Sequence, residues 1–264
     1  SLLLLFLIYC GFMAEQKTYI YGKHALKEAL RHKPEAVEKV FLSPQVDDTE
    51  LRLLISQAGV KCGTFEPKKA PGGVSPDASH QGVIASISPS KLMRSYQSFA
   101  HNLTVGADTA LVLLDELQDP HNVGAVIRSA AAFGISGVLI PEHNQSQVSG
   151  AVVKVSAGMV FRVPLVSVGN VNTVIRDLKD RGFWIYGLEG DAPNNITKEK
   201  FDAPTLFIVG NESKGIRLKT RELCDVLLSI PTDPRCESLN VAASSAVALY
   251  AWSAEHPGAL KAKE

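Results

Sequence analysis

The sequence predicts an α/β protein that combines a small N-terminal α/β unit with a larger C-terminal domain built on a parallel sheet. With 264 residues, 45% of them hydrophobic, the chain is long enough to bury a substantial core. After about residue 110, short apolar runs alternate with amphipathic stretches, which is typical of parallel strands covered by helices on both faces. A polar connection separates the two regions, and we place the boundary near residue 107.

The N-terminal unit is predicted to occupy residues 15–90 and to mix helices with strands. The predicted helices cover 22–32 and 48–58, and the predicted strands cover 39–42, 60–65 and 83–87. Proline, glycine and serine between residues 68 and 79 indicate an exposed loop. Residues 91–107 are predicted to form a polar linker with one helix near 91–99.

The C-terminal domain is predicted to cover residues 108–257, with 258–264 as a tail. Its predicted strands lie at 110–114, 138–140, 163–168, 183–188, 205–209 and 226–230. Its predicted helices lie at 123–133, 148–157, 171–180, directly after Lys214, and at 240–255. Ligands of open parallel sheets bind beyond the carboxyl ends of the strands, so the loops that follow these strands are the places to examine.

The first twelve residues are strongly apolar but too short to span a membrane. They lack a basic segment and an A-x-A cleavage site, and Met13 follows directly. We therefore expect residues 1–14 to be a spurious upstream or disordered segment rather than a trimmed secretion signal, and we exclude them from the fold.

Charge and cysteine content narrow the functional classes. Lys plus Arg and Asp plus Glu each number 27, which excludes a globally basic coat for nucleic acid but not a local basic patch. The four cysteines are far apart without C-x-x-C spacing, which argues against a disulfide framework or structural zinc. No acidic cluster suggests a metal site. We expect a cytoplasmic protein with no membrane partner.

Three strand-following loops carry candidate functional residues. In the first, Asn122 is expected to cap a helix on which Arg128 stands among apolar residues. Arg128 therefore either binds an anion or faces water. The second loop contains Gly210 and Gly215, which permit close approach to a ligand, but it is not a P-loop, and its charged residues are equally compatible with a solvated turn.

The third loop follows the strand that ends at Ile230. It runs through Pro231 and Pro234 to a helix rich in alanine and serine, which Ser238 or Asn240 is expected to cap. Taken alone, this loop is also compatible with an ordinary capped helix that packs closely against a neighbour.

Taken together and in order, the three loops resemble the motifs of the SpoU-type RNA ribose 2′-O-methyltransferases of the SPOUT superfamily. The matching patterns are N-x-G-x-x-x-R from Asn122, G-N-E-x-x-G from Gly210, and I-P-x(5)-E-S-L-N-V from Ile230. Residues 21–30 and 79–85 are similar to the L30e-like substrate-binding domain of the subgroup that methylates a guanosine in 23S rRNA.

This resemblance implies a C-terminal SPOUT domain with a deep trefoil knot, which general topology rules would not predict, and a homodimer formed through that domain. It also implies that S-adenosylmethionine is the methyl donor, with no metal. The residues that it places at the donor site are Val209, Gly210, Asn211, Ile230 and Leu239. Those that it places around the acceptor ribose are Asn122, Arg128, Glu212, Ser238 and Asn240. Thr232 and Pro234 depart from the family pattern, which usually has Met and Gly in this loop.

The resemblance makes Arg128 the residue that activates the 2′-hydroxyl. Because a guanidinium is a poor base, we favour a role in which Arg128 binds the RNA phosphate and stabilises alkoxide charge, with His121 as the rival base. Expected phosphate contacts come from Lys23, Lys68, Lys69, Arg128 and Arg235. His24 and His80 are expected to face RNA or to pack. The alternatives are a tRNA ribose 2′-O-methyltransferase and a non-catalytic ribosome-assembly factor.

Overall fold

The computed structural model describes residues 18–66 and 80–260, and within them the chain forms two sheets. The first belongs to the N-terminal unit and has the strand order β1-β4-β2-β3. Its strands are β1 (Thr18–Tyr21), β2 (Val37–Leu42), β3 (Lys61–Thr64) and β4 (Val83–Ile87). Its helices are α1 (Lys23–His32) and α2 (Thr49–Gln57). Strand β4 runs antiparallel to β1 and β2, whereas β2 and β3 are parallel.

Local chemistry accounts for most of this unit. All five residues of β4 are buried, including Ser86, as its mainly apolar sequence predicts for a central strand. Asp48 caps α2 by accepting a hydrogen bond from the Leu51 N–H. Strand β1 was not predicted from the sequence, because a four-residue strand of mixed polarity shows little apolar periodicity. Ile20 is the one fully buried residue of this strand. The predicted loop at 68–79, with Lys68 and Lys69, and the segment 1–14 lie outside the described residues.

The second sheet has eight parallel strands in the order β10-β12-β9-β11-β6-β7-β8-β5, which confirms the predicted parallel architecture. The strands are β5 (Met93–Ser95), β6 (Ala110–Asp115), β7 (Gly137–Pro141), β8 (Leu165–Val168), β9 (Trp184–Leu188), β10 (Asn194–Asn195), β11 (Thr205–Gly210) and β12 (Val226–Ser229). The helices are α3 (Tyr96–Asn102), α4 (Pro120–Ala132), α5 (Gly150–Val155), α6 (Val171–Asp180), α7 (Leu218–Arg221) and α8 (Val241–Glu255).

The two faces of this sheet are covered by different helices. Along β6, Leu111 and Leu113 pack into the core that contains α6, while Val112 and Leu114 pack into the core that contains α4 and α8. This alternation explains why the strand reads as a continuous apolar run. Because all eight strands are parallel, their carboxyl ends lie along one edge of the sheet, where the three candidate loops begin.

Several predicted boundaries need correction. Residues 91–107 were expected to be a linker with one helix, but they contain β5, which pairs with β8 at the edge of the large sheet, followed by α3. A three-residue edge strand is too short to show alternation. The helix after Lys214 is only the single turn α7, and α5 is shorter than predicted because Ala157 and Gly158 adopt positive φ. None of the helices in the described ranges could cross a membrane.

Candidate active site

Helix α4 begins three residues earlier than the sequence analysis expected. Asp119 is its N-cap, with Oδ1 accepting the His121 N–H at 2.8 Å, and Pro120 occupies the first turn, where its missing N–H has no cost. The prediction that Asn122 caps this helix is therefore wrong. Asn122 lies within the first turn and is 8% exposed. Because Asp119 caps the helix, the side-chain amide of Asn122 can form hydrogen bonds with other loops.

The Asn122 side chain connects the three candidate loops. Its Nδ2 donates to Glu212 Oε1 at 3.1 Å, and its Oδ1 accepts from Asn240 Nδ2 at 3.1 Å. Glu212 Oε1 also receives the Asp119 N–H at 3.4 Å. Three of the five residues that the resemblance places around the acceptor ribose are thus joined in one hydrogen-bonded chain, Glu212–Asn122–Asn240. Its two contacts join residues 90 and 118 positions apart in sequence.

Asn240 also begins helix α8. Its Oδ1 accepts the N–H groups of Ala242 and Ala243 at 2.9 and 3.3 Å, so the expectation that Ser238 or Asn240 caps this helix is confirmed for Asn240. The same side chain therefore caps α8 through its oxygen and contacts Asn122 through its nitrogen. Ser238 is exposed on the preceding loop.

The second loop folds tightly on itself. The N–H and C=O groups of Asn211 and Gly215 exchange two hydrogen bonds of 2.9 Å, and a Cβ at Gly210 would lie 2.4 Å from the Gly215 carbonyl carbon. Gly215 has a φ of +68°, which favours glycine. Both glycines are thus required by the shape of the loop itself, whereas the sequence analysis assigned them to close approach of a ligand.

Asn211 anchors this loop to its neighbour. Its Oδ1 accepts the N–H groups of Ser213 and Lys214, and its Nδ2 donates to the carbonyl of Glu116 at 2.8 Å. The side chain of Asn211 is therefore used within the protein, and its backbone N–H and C=O are used in the two hydrogen bonds with Gly215. Val209 is 1% exposed. The donor contacts that the resemblance implies for these two residues stay a prediction.

An ion pair beneath the loops, between a buried carboxylate and a partly exposed arginine, was not predicted from the sequence. Asp115, the last residue of β6, is 0% exposed and accepts hydrogen bonds from Arg217 N at 3.0 Å and Arg217 Nε at 2.8 Å. Arg217 also lies 3.3 Å from Glu116 Oε1. A carboxylate that ends a buried strand requires a cation. That signal was present in the sequence, but the partner is 102 residues away.

Arg128 stands apart from the hydrogen-bonded chain. It lies on the exposed side of α4, and it forms no hydrogen bond or ion pair with any residue in the described part of the chain. Of the two alternatives left open, the side chain therefore faces water in this structure, with its guanidinium available to an anion. His121 is also exposed, and its backbone N–H bonds to Asp119.

The third loop, residues 231–240, is exposed throughout and crosses the carboxyl edge of the sheet. It starts beyond β12 and reaches Asn122 just after β6, although β9 and β11 lie between these two strands. Leu239 is 37% exposed. Within the described residues, the backbone N–H groups of Ser238 and Leu239 have no hydrogen-bond partner. Apolar surface and unused donors thus lie side by side, while Ile230 is partly buried against the core.

Two residues expected to contact RNA phosphates already have acidic partners. Arg235 donates to both carboxylate oxygens of Asp233, at 2.9 and 2.8 Å, and the hydrogen bonds from Arg235 hold the pKa of Asp233 below its usual value. Lys23 lies 4.0 Å from Asp48. His80 packs edge-on against Phe65, and its Nδ1 accepts the Gly82 N–H, which favours the packing interpretation.

Comparison with known proteins identifies the family. A model described as the SpoU rRNA methylase family matches residues 109–250, and one described as RNA 2′-O ribose methyltransferase substrate binding matches residues 19–93. The chain belongs to the SpoU rRNA methylase family. This confirms the resemblance inferred from the three motifs, and with it the predicted class of RNA ribose 2′-O-methyltransferase.

Relatives in the SpoU family match over nearly the full length. The chain is 34% identical over 244 residues to the 23S rRNA (guanosine-2′-O-)-methyltransferase RlmB of Nitrosomonas europaea, covering 90% of this chain and 92% of that protein. It is also 34% identical to the RlmB of Pseudomonas syringae pv. tomato, with 88% and 93% covered. The fold is similar to the SpoU methyltransferase AviRb from Streptomyces viridochromogenes in complex with AdoMet, with a TM-score of 0.77, 21% identity, and 98% and 99% covered.

Proposed function

We propose that this chain transfers a methyl group from S-adenosylmethionine to the ribose 2′-hydroxyl of a guanosine in 23S rRNA. The observation that carries the proposal is the chain of hydrogen bonds Glu212–Asn122–Asn240, which joins all three family motifs at the carboxyl edge of the sheet. The choice of rRNA over tRNA is supported by the full-length relatives named for 23S rRNA and by the match to the substrate-binding family at residues 19–93.

The residues at the edge of the sheet fit the methyl donor. An adenosyl group needs apolar surface for its base and backbone groups for its polar edge. Leu239 supplies exposed apolar surface, and the N–H groups of Ser238 and Leu239 are unused by the described residues. Gly210 ends β11 and Ile230 follows β12, two strands that β9 separates, and we assign both residues to the donor site together with Val209 and Asn211. When bound, the donor supplies an activated methyl group on a sulfonium.

The acceptor side is assigned to Arg128 and the hydrogen-bonded chain. Arg128 has no protein partner among the described residues, so its guanidinium can bind an RNA phosphate through two hydrogen bonds. It can also stabilise the negative charge that develops on the 2′-oxygen as the hydroxyl loses its proton. The proton leaves through that phosphate or a water, because a guanidinium is a poor base. Glu212, Asn122, Asn240 and Ser238 orient the ribose so that oxygen, methyl and sulfur lie in line.

We propose in addition that the chain works as a homodimer. Helix α8 is rich in apolar residues, and four of them, Ala243, Val247, Tyr250 and Ala254, form an exposed face. These residues follow the i, i+4, i+7, i+11 spacing of a single helix face, and Tyr250 extends it to Phe133 with ring centres 5.8 Å apart. An exposed apolar stripe beside a binding site is typical of an interface. A second copy of the C-terminal domain is the proposed occupant.

The trefoil knot is also part of the proposal. It is supported by the path of residues 231–240, which cross β9 and β11 before α8 begins. A cytoplasmic location follows from the proposed substrate.

The decisive experiment is methylation of unmodified 23S rRNA by the purified chain with labelled S-adenosylmethionine, followed by mapping at nucleotide resolution. We expect a single labelled guanosine. The label should disappear in Arg128→Ala and persist in Arg176→Ala, a matched control for an exposed arginine on α6. Labelling of tRNA in place of rRNA would contradict the proposed substrate. Donor binding without any transfer would favour the non-catalytic assembly factor.

A further inference from the structure

An ion pair between a buried carboxylate and a half-exposed arginine joins the two domains at a distance from the active-site loops. Glu28, on the inner face of α1, is 1% exposed, which is unusual for a carboxylate. Arg162 follows the short helical turn Met159–Phe161 of the C-terminal domain. Its Nε and Nη2 donate to the two carboxylate oxygens of Glu28 at 2.5 and 3.0 Å. The pair is therefore bidentate, and it connects residues 134 positions apart.

Two glycines of the C-terminal domain allow this close approach. A Cβ at Gly158 would lie 3.1 Å from both Cβ and Cγ of Glu28. A Cβ at Gly150, the first residue of α5, would lie only 2.2 Å from the carbonyl oxygen of Tyr19 in β1. The N-terminal unit is thus seated on the segment 150–162 at two separate points. A larger residue at Gly150 would clash with the backbone of β1, and one at Gly158 would crowd the Glu28 side chain.

Arg162 is the one cation that hydrogen-bonds to Glu28 within the described residues. Arg31 and His32 lie 3.6 and 3.8 Å from the carboxylate, both beyond hydrogen-bonding distance, and both belong to the same helix as Glu28. The hydrogen bonds from Arg162 are the main reason that the pKa of Glu28 is lowered, despite its burial. A buried carboxylate that loses its partner is strongly unfavourable, so this arrangement of the domains depends on Arg162.

We propose that Glu28 and Arg162 are positioning residues, which set the orientation of the RNA-binding unit on the methyltransferase domain and so place the target ribose at Arg128. Neither residue touches the site, and apolar contacts alone are not directional. A planar two-bond pair specifies distance and angle together. The inference rests on the proposed function, because it assumes that the N-terminal unit holds the RNA.

The kinetic test compares Glu28→Gln with the wild type in methylation of 23S rRNA. We expect the KM for rRNA to rise about tenfold or more, with kcat at saturating rRNA and the Kd for S-adenosylmethionine within about twofold of wild type. Arg162→Lys, which keeps the charge but loses the fork, should show the same pattern. The exchange E28R with R162E should restore a large part of the KM, and Arg31→Gln is the control that should change little. An unchanged KM in Glu28→Gln would overturn the proposal.

A second readout is independent of activity. Spin labels at Cys62 and at Lys198→Cys report the distance between the two domains. The other cysteines are replaced by serine, and the labelled chain is diluted in unlabelled chain. We expect a narrow distribution in the wild type and the exchange variant, and a broad one in Glu28→Gln. A distribution that stays narrow would show that the pair only adds stability. If the wild type methylates no 23S rRNA while the distribution still broadens, the substrate assignment fails and the orienting role stands.

Discussion

Asn240 donates from its side-chain amide to Asn122 Oδ1 at 3.1 Å, which ties the N-terminus of α8 to the first turn of α4. Because Asn240 Oδ1 is at the same time the N-cap of α8, a single side chain serves both helix stability and site geometry. The two contributions can be separated by substitution, since the cap requires only an oxygen whereas the contact with Asn122 requires a donor of the right length.

Asn240→Ser is expected to keep the cap and lose the contact with Asn122. Serine is as good an N-cap as asparagine, so the free energy of unfolding should change by less than about 0.5 kcal/mol while methylation falls steeply. Asn240→Ala should lose about 1 kcal/mol of stability as well. Urea denaturation and the methylation rate measure the two effects. Equal loss of stability in both variants would contradict this separation.

The Asp115–Arg217 pair is expected to hold the second loop in place. Asp115→Asn leaves the partly exposed Arg217 with a weaker partner, and loss of charged hydrogen bonds should lower the free energy of unfolding by about 2 kcal/mol. Since Glu212 stands on the loop that Arg217 closes, the Kd for S-adenosylmethionine should rise as well. Thermal unfolding with and without donor measures both. Lys214→Ala, an exposed change on the same loop, should leave stability unaffected.

Arg128→Lys distinguishes two roles for the arginine. If Arg128 acts through a two-bond fork to a phosphate, lysine cannot replace it, and kcat should fall about 100-fold or more at every pH, while donor binding is unchanged. If its function were to lose a proton, the lysine variant should recover near-normal turnover at high pH. A pH profile of kcat from 7 to 10 decides between them.

Stability should depend on pH through Glu28. Arg162, Arg31, His32 and His24 all favour its ionised form, and the hydrogen bond with Arg162 is the largest cause of its lowered pKa. A lowered folded-state pKa stabilises the protein above the usual value of 4.5, and the contribution is lost as pH falls through the lowered value. The difference in unfolding free energy between wild type and Glu28→Gln should therefore be constant near pH 7 and shrink below pH 4.5. A difference that grows on acidification would contradict it.

Tyr250→Glu tests the proposed dimer. The residue is 61% exposed in the single chain, so a charge there should cost the isolated domain little stability. In a dimer the same charge would be buried without a partner, so sedimentation equilibrium should shift from two copies to one. Arg176→Glu, an exposed change on α6 at the opposite face of the sheet, is the control that should leave the mass unchanged. A monomeric wild type would overturn the interface.

The sequence by itself determined the elements whose signals are local. Short, mainly apolar runs identified the strands β4, β6 and β11, and the polar cap residue at Asn240 marked the start of α8. The order and internal spacing of the three motifs identified the family. Each motif is a short run of consecutive residues in the loop that follows one strand, so its signal is local. Such signals survive in the sequence because neighbours along the chain are also neighbours in space.

The tertiary structure alone decided which residues meet. Asn122 was expected to cap a helix, yet Asp119 takes that role and leaves its amide to bridge Glu212 and Asn240. The pairs Asp115–Arg217 and Glu28–Arg162 join residues 102 and 134 positions apart, and no local pattern encodes such contacts. A buried carboxylate requires a cationic partner. Which cation pairs with it depends on the order of the strands and on the arrangement of the two domains.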